Sequence, residues 1–162
     1  MPFLMRWPNH IVAGQRPAIP AHHLDVFATL AAAAGASMPT DRKMDSLNLL
    51  PFVTDKSAAM PERTIVWRSG SYRAIADGRW KLQVTERPAR LWLFDMTADP
   101  TERQNVAAGH PDEIRRLKTT LAEFDRQMPS PMWPALLDTP VRIDVPSDVP
   151  WKADQEYIYW SN

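Results

Sequence analysis

The alternation of polar and apolar positions is most regular between Ser71 and Asn105, SYRAIADGRWKLQVTERPARLWLFDMTADPTERQN. Asp77-Gly78 there separates two short runs that mix polar residues with Tyr72, Ile75, Trp80, Leu82 and Val84, the strongest hairpin signal in the chain. The pattern predicts strands over Tyr72–Ala76 and Trp80–Val84, with Trp80, Leu82 and Val84 on one face and Lys81 and Gln83 on the other. Leu91–Phe94 is apolar throughout, which predicts a third strand covered on both faces, and Thr64–Arg68 offers a fourth. Further on, Ile114, Leu117, Leu121, Phe124 and Met128 step by threes and fours, the stripe of an amphipathic helix. Pro111 suits its first turn, Asp112 and Glu113 suit the positive end of its dipole, and Pro129 forbids continuation. This helix is expected to lie across the sheet, over Trp80 and Leu82.

Earlier in the chain, Phe3–Trp7 predicts a short strand ended by Pro8 and followed by a turn from Asn9 to Gly14. A strand this apolar belongs inside a larger sheet; left at an edge it invites aggregation. His22–Ala34 predicts a helix with Leu24, Phe27, Leu30, Ala31 and Ala34 on one face and Gly35 as its left-handed stop. Having few long polar residues, it is expected to be packed on more than one side. Met44–Val53, interrupted by Pro51, suggests a loop or helical turn laid on a core, and Asp55–Glu62 a polar connection. From Pro129 to Asn162 the pattern predicts an extended tail anchored by Trp133, Trp151, Tyr157, Tyr159 and Trp160, with at most one short strand near Glu156–Trp160. There is no internal repeat.

Composition narrows the class. At 162 residues the chain amounts to one domain with a small subdomain attached, and 16 Pro against 5 Gly argue for short elements joined by rigid connections. The absence of Cys removes disulfides, thiolate nucleophiles and Cys-containing metal sites, while leaving the redox compartment open. With 19 basic and 19 acidic residues there is no field to recommend nucleic acid or an anionic membrane as partner. No apolar run approaches the roughly 18 residues of a membrane span, no secretory leader pattern is present, and the compartment stays undetermined.

The polar residues do not assemble into a recognisable reaction centre. His22 and His23 are adjacent, so on a helix they point about 100° apart and cannot chelate one metal as an i,i+4 pair does. A His22–Asp25 pair fits capping or a surface hydrogen bond, and His10 and His110 are isolated. Ser69-Gly70-Ser71 lacks the strand–nucleophile–helix context of a nucleophile elbow and suits a tight turn. Asp41, Asp45, Asp95 and Asp99 do not follow calcium-loop spacing; Asp95 and Asp99 suit turn closure after the third strand. Arg6, Arg68, Arg73, Arg79, Arg87 and Arg90 supply anion-binding capacity in principle, and three of them lie close to the hairpin, although arginines on strands are commonly solvated or paired.

Four segments resemble one family. PFLMRWPNHIVAGQ is similar to the strand and turn that follow the large catalytic region of arylsulfatase-type sulfatases, in the alkaline-phosphatase-like superfamily. HHLDVFATLAAAAGA resembles their S/H-x-x-D-x-x-P-T-x-L helix, with Asp25 and Thr29 in place and Ala28 where the pattern has Pro. YRAIADGRWKL resembles their Asp-Gly to Trp-Lys-Leu segment, and LWLFDMTADPTERQNVAAGHPDEIRRL their D-P-x-E-x-x-N-L stretch and helix. The resemblance covers residues 1–128 and implies an α+β fold: a small antiparallel four-stranded sheet covered by a C-terminal helix, preceded by a strand and helix of a larger α/β domain. It implies a division into 1–60, the end of the large domain; 61–128, the C-terminal subdomain; and 129–162, the tail.

The resemblance also implies that a complete enzyme hydrolyses sulfate esters with formylglycine and calcium. The formylglycine arises from a Cys/Ser-x-Pro-x-Arg motif that this chain lacks. No catalytic, cofactor-binding or metal-binding residue can therefore be carried onto a position here. The expected partners are a catalytic sulfatase region, or a second copy meeting it through exposed apolar surface. The rival expectation is a non-catalytic accessory or interaction module.

Overall fold

A computed structural model describes residues 3–17, 20–54, 58–59, 61–70, 72–86, 89–129, 132–133, 138–142 and 157–161, the last two ranges by their backbone. The chain divides into two compact units, Met1–Pro61 and Glu62–Asn162.

The second unit holds the four-stranded antiparallel sheet. Strands β1 (Ile65–Ser69), β2 (Tyr72–Asp77), β3 (Trp80–Glu86) and β4 (Ala89–Asp95) pair in chain order. The β2–β3 hairpin closes one residue later than the Asp-Gly signal suggests. Asp77 pairs with Trp80, and the two loop residues are Gly78 and Arg79. Gly78 has φ +57° while Arg79 keeps a negative φ, the arrangement of a hairpin turn with Gly in first position. Gly70, at φ +54°, turns β1 into β2.

Period-2 alternation sorts the sheet's faces as expected. Ile75, Leu82 and Leu93 are fully buried with Leu117 and Leu121 of helix α3 (Pro111–Gln127), and Val66, Trp80, Val84 and Ile114 pack around them. The helix stripe therefore does lie over the hairpin, except that Met128 falls past the helix end and is exposed. On the other face, Trp92 and Phe94 cluster with Tyr72 and Met96. The apolar Leu91–Phe94 run is thus covered on both sides.

Charge fixes the helix along β2. Arg116 of α3 bonds to Asp77, which also accepts the Thr64 hydroxyl at 3.0 Å. At the other end, Asp125 lies 2.7 Å from Arg73 Nε and 3.9 Å from Arg68 Nη1. The four strand steps from Arg73 to Asp77 cover about 13 Å, and the nine helix steps from Arg116 to Asp125 about 13.5 Å. The two spacings match, and because the later helix residue meets the earlier strand residue, the helix runs antiparallel to β2.

The tail departs from expectation. Besides β6 (Tyr157–Ser161), near the predicted segment, it forms β5 (Asp138–Arg142), and the two pair as an antiparallel hairpin. Pro140 lies within β5, where proline is tolerated because one side of each strand of a two-stranded ribbon is an edge. Trp133, expected as an anchor, is 72% exposed, and Trp151 lies outside the described residues.

In the first unit, Phe3–Trp7 is not a strand. A strand needs a ladder neighbour, and none pairs with this segment among the described residues. Instead the Trp7 carbonyl accepts the His10 and Ile11 amides, and Asn9 takes φ +66° in the turn that follows. Helix α1 (Asp25–Ala33) ends as predicted at Gly35, φ +68°. Its faces are reversed from the apolar reading: Asp25, Ala28 and Thr29 are buried, whereas Leu24, Phe27 and Leu30 are 44%, 53% and 63% exposed. The patch after it makes one helical turn, α2 (Leu50–Thr54), with Leu49 and Val53 buried.

Candidate functional site

Lys81 and Gln83 lie two residues apart on β3 and so share the sheet face turned away from α3. The register places Gln83 in one row with Trp67, Ala74 and Trp92. The loop after β4 brings a carboxylate to them. The Asp95 carbonyl accepts the Ala98 and Asp99 amides, and the Asp99 carboxylate accepts the Arg103 and Gln104 amides, both at 2.7 Å. The Gln104 amide, followed by the bonds from Arg103 and Thr101, holds the Asp99 carboxyl below its ordinary pKa.

This folding-back leaves Glu102 in a left-handed conformation, φ +58°, uncommon for a residue with a side chain. Its carboxylate accepts a hydrogen bond from Lys81 Nζ at 2.5 Å and one from the Gln83 amide. Lys81 Nζ also stands 5.6 Å from the centroid of the Trp67 ring. Burial, and secondarily the Glu102 charge, push the Tyr72 phenol up. Gln83 is only 2% exposed, and its Oε1 accepts no hydrogen bond among the described residues.

Chemically, this cluster is a clasp. The one ammonium and the one carboxylate are spent on each other, and the Gln83 amide holds the second carboxylate oxygen. Such an arrangement ties the loop to the sheet and offers neither an activated nucleophile nor a free base.

The remaining sequence candidates are dispersed. Asp25 is fully buried; it accepts the His22 amide at 2.7 Å and the Leu47 amide at 2.9 Å. One helical turn on, Thr29 Oγ1 accepts the Leu49 amide at 3.0 Å. The motif's Asp and Thr therefore bind the 46–49 segment to α1, and the His22–Asp25 relation is a hydrogen bond from the His22 backbone amide to the buried carboxylate, neither a surface bond nor an N-cap. His10 stacks on Trp7 with ring centroids 4.0 Å apart, and His110 tilts against Trp80 at 4.7 Å. Arg68 and Arg73 face Asp125, Arg73 also bonds to Glu86 at 3.0 Å, and Arg79 pairs with Asp95 beside the Trp80 ring. Arg6 and Arg90 are exposed, and Arg87 lies outside the described residues.

The four aspartates considered for calcium do not converge. Asp41 pairs with Arg42 and Asp45 with Lys43, while Asp95 and Asp99 close turns. Among the described residues no group of three His, Cys, Asp or Glu side chains is placed to hold a metal ion. The described residues thus supply no fitting ligand set for the calcium that the resemblance implies for the complete enzyme.

Residue patterns alone missed Lys81, Gln83, Glu102, Asn105 and Asp125 as organising groups. For Glu102 and Asn105 the available signal was their spacing from Asp99 within D-P-x-E-x-x-N. The others pair with partners distant in sequence.

No family model matches the chain. An N-acetylgalactosamine-6-O-sulfatase of Bacteroides thetaiotaomicron is 30% identical over 135 residues, covering 75% of this chain and 26% of the relative. Human steryl-sulfatase is 29% identical over 110 residues, covering 68% of this chain and 18% of the relative. The chain thus spans about a quarter or less of the length of these curated relatives. A crystal structure of Ps i-CgsB superimposes with a TM-score of 0.65 at 25% identity, covering 79% of this chain and 29% of that one. With the four-stranded sheet, its covering helix and the motif residues that hold them, these likenesses make the chain a member of the sulfatase/alkaline-phosphatase-like superfamily.

Proposed function

We propose that this chain is the C-terminal portion of an arylsulfatase-type sulfatase, a scaffold that supports a catalytic region not contained in these residues. The observation that carries the reading is the match itself. The likeness to a sulfatase extends over 75% of this chain yet only 26% of the relative, and the chain has neither a Cys nor a Ser-x-Pro-x-Arg motif from which to make formylglycine. On this reading residues 1–60 complete the large α/β domain, 61–128 form the small subdomain, and 129–162 are the tail. The complete enzyme hydrolyses sulfate esters, with formylglycine and calcium supplied by its catalytic region. The exposed Leu24, Phe27 and Leu30 stripe on α1 supports the same reading as the surface that meets that region.

The test is reconstitution. The 162-residue chain, purified alone, is expected to leave an aryl sulfate untouched; co-expressed with a sulfatase catalytic region carrying the Cys-x-Pro-x-Arg motif, it is expected to yield a complex that hydrolyses it. Turnover by the chain alone, surviving tests for contaminants, would falsify the reading. The α1 stripe equally suits a second reading, a non-catalytic interaction module. That alternative is favoured if the chain binds a partner stably while adding nothing to a catalytic region, and is discarded if the chain is a folded monomer that binds neither.

A further inference from the structure

We infer that the loop from Asp95 to Val106 is an edge guard, with Asn105 as its central residue, keeping β4 from pairing with the β4 of a second copy. The strand order leaves β4 at one margin of the sheet, where alternate backbone groups point away from β3. The loop takes up those groups in turn. Asn105 Nδ2 donates to the Leu91 carbonyl at 3.1 Å, and Asn105 Oδ1 accepts the Leu93 amide at 3.0 Å. The Val106 amide donates to the Leu93 carbonyl at 2.9 Å, and the Asp95 carbonyl receives the Ala98 and Asp99 amides at 3.1 and 2.7 Å. One primary amide thus presents a donor and an acceptor with the spacing of a neighbouring strand. Its Oδ1 also accepts the Ala107 amide at 3.1 Å, which pins the side chain from behind.

The occupant excluded is a second copy of this chain. Leu91–Phe94 is four apolar residues without charge or proline, the composition that pairs edge to edge. Antiparallel pairing of two β4 strands about Trp92 would set Leu91 opposite Leu93 and Arg90 opposite Phe94, with no like charges facing. Nothing in the strand itself resists self-pairing, so resistance falls to the loop.

The test uses the full 162-residue chain with Asn105→Ala, and Gln104→Ala as the control at an exposed neighbour. Exchange of the Leu93 amide is expected to be roughly tenfold faster in Asn105→Ala, and association measured by sedimentation is expected to rise with concentration above that of the control. Equal Leu93 exchange in the two variants overturns the inference, and so does faster exchange without added association. Should Asn105→Ala fail to fold, Asn105→Ser, whose shorter side chain offers one hydroxyl in place of the separate amide donor and acceptor, carries the test. Association above the Gln104→Ala level supports the guard, and association equal to it overturns it.

Discussion

Replacing Asp125 by Ala would unlock one end of α3, and the size of the effect follows from what Asp125 neutralises. Arg68 and Arg73 are direct register partners on β1 and β2, so two guanidinium groups project side by side from the helix-covered face. Like charges so placed oppose pairing. Asp125 answers both, at 3.9 and 2.7 Å, from a position where all three side chains are 18–29% exposed. Glu86 still engages Arg73 at 3.0 Å after the substitution. The Arg73 Nε–H also does not point well at Asp125, so the contact is an ion pair without a well-formed hydrogen bond. A fully exposed pair contributes at most about 1 kcal/mol; two partly shielded pairs and the uncovered repulsion bring the expected loss to about 1.5 kcal/mol.

Unfolding entropy of about 0.21 kcal/mol/K for a unit of this size converts that loss to a Tm lowered by roughly 7 °C. Calorimetry in low salt is the assay, repeated near 1 M NaCl, where screening is expected to shrink the difference. A double-mutant cycle pairing Asp125→Ala with Arg73→Ala isolates the coupling. A Tm unchanged within about 1 °C, or two effects that simply add, would refute the idea that charge holds the helix in place.

Leu117→Ala should be more damaging, costing about 3 kcal/mol, because the side chain is fully buried among Ile75, Leu82, Leu93 and Leu121 and leaves a cavity. The same denaturation experiment on the exposed Met128→Ala should stay within about 0.5 kcal/mol of the parent, and equal effects would contradict the assigned core. Asp99 gives the Asp95–Val106 loop a defined acid sensitivity. Its folded pKa lies below the ordinary value of about 3.9, so its stabilisation is fully present above that value and is lost as pH falls through the lower, folded one. Amide exchange at Arg103 and Gln104, corrected for intrinsic rates, should rise in that acidic window and show no such step in Asp99→Asn; a step unchanged by the substitution assigns it to another group.

The sheet and the long helix were legible because each announces itself locally. The Asp77-Gly78 signal, the period-2 runs and the Ile114–Leu121 stripe all act over a few residues, and the structure places them within one or two residues of the pattern. The reversed α1 was illegible for a physical reason. Its buried side is chosen by two polar atoms, the Asp25 carboxylate and the Thr29 hydroxyl, which satisfy amides at Leu47 and Leu49 more than fifteen residues away. A periodicity of apolar residues cannot register that choice. Phe3–Trp7 failed similarly, since its composition marks a strand and a strand exists only with a neighbour. The clasp on Glu102 depends on a left-handed residue in a loop without Gly at that position, and Asp125 finds its arginines across some fifty residues of chain. Sequence separation, more than chemistry, hid these contacts.

The agreement between strand order and chain order bears on how the second unit forms. Each ladder closes with only two residues between its last paired positions, so little loop entropy is lost before a neighbour's contacts repay it. Helix α3 then needs only to fold back on strands made shortly before it. Such low contact order puts the sheet and α3 among topologies that assemble quickly. During synthesis the meander can collapse as it leaves the ribosome, strand by strand, without waiting for the tail.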